Sequence, residues 1–136
     1  LRQKALHLLQ EEAELNEIVQ LVGVDSLSFT DRLKLETAKS IREDYLHQNA
    51  FHEIDTFTST TKQYLLLKMI LGWHEAAIKA VCEGGSFKKI TEMSAREQIG
   101  RFKYVEEAKI QEQYEAILAE MTAEFDEIVQ KEAELA

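Results

Sequence analysis

With 136 residues, a formal net charge of −9, no proline, five glycines and one cysteine, the chain has the size of one domain and a composition that favours helix nearly throughout. The acidic excess lies at one end: from Tyr104 onward ten acidic residues face two basic ones, which argues against nucleic acid or an anionic membrane surface as a partner. The longest apolar run, Tyr64 to Trp73, is broken by Lys68 and falls far short of the roughly 20 residues that span a bilayer.

The first expected helix runs from about Arg2 to Val22, with Ala5, Leu8, Leu15, Val19 and Val22 recurring at helical intervals. Glu12 interrupts that stripe, while Glu11, Glu14 and Glu17 occupy other faces. The opening LRQKALHLLQ starts inside the pattern, with no initiator Met and no signal-like apolar region, so a longer parent chain is expected. Gly23 suits the left-handed position after a helix end. In VDSLSFTDRL, Ser28 and Asp31 stand at capping spacing before Leu33, Leu35, Ala38 and Ile41 take up a second helix. The two helices form an α-hairpin with a short acidic tip.

From Ile41 to Thr58, IREDYLHQNAFHEIDTFT, the charged helical pattern gives way to a non-periodic segment in which Gln48, Asn49, Phe51 and Phe57 lie close together. Amide groups and ring faces of this kind can hold a flat heterocycle. The same aromatics can equally plug the core at a chain turn. His52 with Glu53 lacks the second histidine of a zinc-binding H-E-x-x-H helix, so no metal site is read here. His7, His47 and His74 show no ligand spacing and are expected at the surface or the edge of the core.

The most apolar helix is expected from about Thr60 to Glu83, at the bundle centre or against a neighbouring domain. Ser59 or Thr60 can cap it, and Gly84 with Gly85 ends it. Gly72 is read as a close-packing position beside Trp73, and Cys82 as a passive, partly buried residue. SFKKITEMSAREQIGRFKYV then reads as a linker with one short helix near Ala95 to Phe102. Its basic cluster, Lys88, Lys89, Arg96, Arg101 and Lys103, is expected to face the acidic last helix. That helix, about Glu106 to Leu135, carries the apolar stripe Ile110, Tyr114, Leu118, Met121, Phe125 and Ile128. The fold expected is all-α: a multi-helix bundle with an N-terminal α-hairpin and a long amphipathic C-terminal helix.

No G-x-x-x-x-G-K-[ST] loop is present, and no nucleophile stands beside a base in a recognisable motif. The chain alone is therefore expected to bind no cofactor and to catalyse nothing. A free-standing helical module for protein–protein interaction accounts for the composition.

The segments EEAELNEIVQLVG, IREDYLHQNAFHEIDT, KQYLLLKMIL and AREQIGRFKYV together resemble the C-terminal domain of the catalytic A subunit of archaeal and vacuolar-type rotary ATPases, along essentially the whole chain. The resemblance implies one helical domain, residues 1–136, whose nucleotide-binding domain lies upstream in a larger subunit. It implies that Gln48, Asn49, Ala50 and Phe51 line the adenine pocket of an intact subunit that binds ATP or ADP with magnesium. It further implies that the tip Asp25, Ser26, Leu27, Ser28, Phe29, Thr30 and Asp31 meets the central rotor stalk, with Leu27 and Phe29 offering an apolar contact in place of a strongly acidic loop. The implied partners are the rest of the A subunit, neighbouring B subunits and the rotor. The implied location is cytoplasmic and peripheral to the membrane, in a machine that couples ATP synthesis or hydrolysis to proton or sodium transport.

Overall fold

The computed structural model describes residues 2–46 and 60–135. Helix α1 spans Arg2–Val22, and α2 spans Phe29–Ser40 and continues into a π-helical turn, Ile41–Leu46. Helix α3 covers Thr60–Cys82, α4 Phe87–Thr91, α5 Ser94–Arg101 and α6 Ile110–Leu135. Short 3-10 turns occupy Val24–Ser26, Phe102–Tyr104 and Glu107–Lys109, and there is no strand among the described residues. The all-α bundle with its N-terminal hairpin and long last helix is thus the observed architecture.

Helix α3 is the hub, packing on α2, α5 and α6. Its Leu66, Met69, Ile70, Trp73 and Ala77 are buried, as expected for a helix with few polar faces. The turn that ends it joins Gly85 N–H to the Ala80 carbonyl (2.8 Å) and Gly84 N–H to that of Val81 (3.0 Å), a Schellman closure with Gly84 at a φ of 96°. A Cβ at Gly85 would stand 2.9 Å from the Ala80 carbonyl oxygen and 3.4 Å from Ile128. The glycine pair therefore both stops α3 and lets the chain lie against α6.

Several sequence expectations are corrected. The short helix expected near Ala95 to Phe102 is α5, Ser94–Arg101, whereas the part before it, read as a linker, carries a further helix, α4, because Ile90 is buried in the common core with Met93, Ala95, Ile99 and Phe102. The stripe of α6 centres on Ile117, fully buried, while Leu118 is only half-buried. Gly72 does not mediate close packing, since nothing among the described residues lies within 4 Å of a Cβ built there. Cys82 is exposed. His74 is buried at 8% exposure, bonded through Nδ1 to Thr37 Oγ1 at 2.6 Å, and is a core residue.

Candidate functional site

The hairpin tip is built from local hydrogen bonds. Gly23, at φ 88° and ψ 160°, turns the chain out of α1 in a region that L side chains rarely enter. Ser26 Oγ donates to the Gly23 carbonyl (2.7 Å), and Ser28 Oγ accepts from Asp31 N–H (3.2 Å) as the N-cap of α2. The hydroxyls of Ser28 and Thr30 are 3.0 Å apart. Asp25 pairs with Arg32 at 3.4 Å, and the Arg32 guanidinium lies 5.4 Å from the centre of the Phe29 ring. The turn is thus cross-braced from both sides.

The tip's apolar residues divide differently from the sequence reading. Leu27 is 8% exposed and anchors the tip inward, so it offers no outward contact. Phe29 is half-exposed, but one face of its ring stacks on Phe87 of α4 (centroids 5.3 Å, planes 21° apart). The outward apolar side chains are instead Ile18, Leu21, Val22 and Val24, with Leu21 84% and Val22 65% exposed. Their signal was present in the sequence. Val22 continues the Leu8–Leu15 stripe by another seven residues, a spacing that returns to the same helix face, yet it stands 65% exposed.

Gln48, Asn49, Ala50 and Phe51 lie outside the described residues, as do His47, His52, Glu53, Phe57 and Ser59. The approach to them is described. The C-terminal end of α2 is held by Arg96 of α5. Its Nη2 reaches the Glu36 carboxylate (2.8 Å), the Glu36 carbonyl (2.9 Å) and Ser40 Oγ (3.3 Å), and its Nη1 donates to the Thr91 carbonyl (3.2 Å). The same guanidinium stacks 4.8 Å from the centre of the Trp73 ring. One side chain thereby joins α2, α3, α4 and α5, as a planar fork with five donors can and a lysine cannot.

Only part of the basic cluster faces α6 as expected: Lys89 approaches Glu132 at 4.0 Å, whereas Arg96 turns to α2 and Arg101 pairs within its own helix to Glu97 (2.9 Å). The acids of α6 have another use that the sequence reading missed. Glu124 accepts from the backbone N–H groups of Ser94 (3.1 Å) and Ala95 (2.8 Å), and the one hydroxyl hydrogen of Ser94 is shared between Glu120 and Glu124 (Oγ at 2.9 and 3.0 Å). A carboxylate from a distant helix thus caps α5, whose own N-cap residue, Met93, has no side-chain oxygen.

Beside Arg96 a cleft of about 490 Å³ opens between α2 with its π-turn and α4–α5, lined among others by Glu36, Lys39, Glu43, Asp44 and Glu97. Burial raises the Asp44 carboxyl above its ordinary value, against the opposing pull of Lys103. With more carboxylates than cations, the cleft repels phosphate. Among the described residues no group of His, Cys, Asp and Glu side chains could hold a metal ion. What this geometry does is tie the C-terminal end of α2 to α5.

Residues 1–91 match the family model described as the C-terminal domain of V and A type ATP synthase. The V-type ATP synthase alpha chain of Acetivibrio thermocellus is 52% identical over 134 residues, covering 98% of this chain and 23% of that protein. That of Clostridium botulinum strain Hall is 50% identical over 131 residues (96% of this chain, 22% of the relative). That of Thermoanaerobacter pseudethanolicus is 57% identical over 110 residues (81% and 19%). The chain therefore spans less than a quarter of the length of these relatives.

Proposed function

Since this chain belongs to the family of C-terminal domains of V and A type ATP synthases, we propose that it is the helical, force-transmitting part of a catalytic subunit whose nucleotide-binding domain precedes it. In that subunit Gln48 and Asn49 hydrogen-bond the adenine edge, Ala50 leaves room for the ring, and Phe51 stacks on it. Magnesium and the phosphates are held upstream. The tip, residues 25–31, bears on a central rotor stalk, and the flanks of the domain meet the rest of the A subunit and neighbouring B subunits. The assembly couples ATP synthesis or hydrolysis to proton or sodium transport, and this domain sits at the cytoplasmic face, peripheral to the membrane. No helix among the described residues is long and apolar enough to cross a bilayer.

The observation that carries this reading is the contrast at the tip. Its backbone is braced by the Ser28 cap, the Ser26 bond and the Asp25–Arg32 pair, while Leu21, Val22 and Val24 beside it are left uncovered. A stiff lever with an apolar end transmits a rigid-body swing to whatever it touches. The test is made in the intact rotary complex with Leu21→Asp and Val22→Asp, measuring ATP turnover and ion transport together. Transport per ATP is expected to fall while thermal stability is kept; unchanged coupling in both variants removes the exposed Leu21–Val24 flank of the tip from force transmission. Independently, Phe51→Ala is expected to weaken nucleotide binding roughly tenfold or more, from a stacking term of about 0.5–1.5 kcal/mol added to the lost area burial. Unchanged affinity removes Phe51 from the pocket.

A further inference from the structure

Where α1, α2 and α3 meet, His74 is enclosed with its Nδ1 2.6 Å from the hydroxyl of Thr37, a residue that is itself fully buried. In the neutral ring this pair shares one hydrogen, donated from either side. A protonated ring donates from both nitrogens, so Thr37 can then only accept, and the positive charge is held in a site that is 8% exposed. Three charged groups face the imidazole: Glu11 from α1, Lys34 from α2 and Glu75 from α3 itself. Lys34 opposes a second positive charge. Glu11 would favour it, but is already engaged by Lys34 at 3.4 Å and His7 at 2.7 Å. Glu75 is exposed and paired to Lys4 of α1 at 3.2 Å. The elements that surround this ring are thus arranged for its neutral form.

We infer that the protonation state of His74 sets how tightly the α1–α2 hairpin is held against α3, making the seam a pH-sensitive latch. Burial first, and Lys34 second, push the imidazole below its ordinary value. The sign follows from that direction: the folded state prefers the neutral ring. The contribution to seam stability is complete above the unfolded value of about 6.5 and is lost as pH falls from there through the lower folded value. Mild acidification loosens the hairpin while leaving α6, on the other side of α3, in place. The inference concerns the seam itself and stands whether or not the tip bears on a rotor.

The test is hydrogen exchange in the intact chain that carries this domain, followed at pH 5 to 8 and corrected for the intrinsic pH dependence of exchange. Amides of residues 33–40 and 70–78 are expected to lose protection severalfold toward the acid end, with those of residues 117–128 unchanged. His74→Gln, which keeps a hydrogen-bonding group but cannot be protonated, is expected to flatten the profile. Should that variant fold poorly, Lys34→Met serves instead: removing the opposing cation brings the folded value closer to the unfolded one, so the acid loss of protection shrinks. A flat wild-type profile, a loss shared equally by residues 117–128, an unaltered profile in a folded His74→Gln variant, or an undiminished acid loss in Lys34→Met would each overturn the latch.

Discussion

Replacing Glu124 with alanine removes the cap that α5 borrows from α6. In the wild-type chain the Glu124 carboxylate takes the Ser94 N–H, the Ala95 N–H and, with Glu120, the Ser94 hydroxyl. A charge-assisted hydrogen bond contributes about 1.5–3 kcal/mol where it is dry, and loss of a helix N-cap costs about 0.5–2 kcal/mol. Here the Ser94 bonds are exposed while the Ala95 bond is half-buried, so water recovers part of the loss, and a net cost of about 1.5–2 kcal/mol is expected. For a chain of this length that corresponds to a midpoint lower by roughly 5–8 °C, read by thermal or urea unfolding of the 136-residue chain. Glu124→Gln keeps one acceptor oxygen but no charge, and should fall between wild type and alanine. A Glu124→Ala variant within about 0.5 kcal/mol of wild type, the range of an unremarkable surface change, would refute the argument that α5 depends on this carboxylate. The consequence extends beyond stability, because α5 carries Arg96, and Arg96 holds the end of α2 from which the Gln48–Phe51 segment departs.

Three further outcomes follow from particular contacts. Gly72→Ala should stabilise the chain by about 0.5–1 kcal/mol, since a helical glycine costs that much relative to alanine and its Cβ meets nothing among the described residues within 4 Å; destabilisation would mean that this face is covered after all. Leu27→Ala should cost about 2–3 kcal/mol as a buried deletion, whereas Leu21→Ala at 84% exposure should stay within about 0.5 kcal/mol, a contrast measured by denaturant midpoints. Asp44→Asn should raise stability at neutral pH. Its carboxyl is pushed up by burial, so the ionised form is disfavoured by folding and the wild-type penalty disappears as pH falls through the raised value. Equal stability of wild type and Asp44→Asn from pH 4 to 8 would refute that account.

Hairpin, hub and last helix were legible along the chain because their causes are local. The period of α1 and α6, the Ser28–Asp31 cap and the Gly84–Gly85 stop act within one turn of the residues that carry them. Of the short helices, α5 was legible near Ala95 to Phe102, but α4 was not, since five residues hold too few turns for a period to stand out, and an isolated helix of that length is unstable. Both exist because Ile90, Ile99 and Phe102 are buried on the bundle and Glu124 caps α5 from another helix. The candidate nucleotide segment, Gln48 to Phe51, was read from residue types and resemblance, and no contact among the described residues bears on it.

By itself, then, the sequence determined helical content, the order of the long helices and membership of a family, since propensity, period and motif are properties of neighbouring residues. Tertiary structure alone decided which side of each stripe is covered. Val22 has the spacing of a core residue and stands exposed; His74 was expected at the edge and is enclosed with Thr37; Leu27 points inward while Leu21 points out. Burial depends on which helix happens to lie opposite, a partner tens of residues away whose position no local pattern encodes.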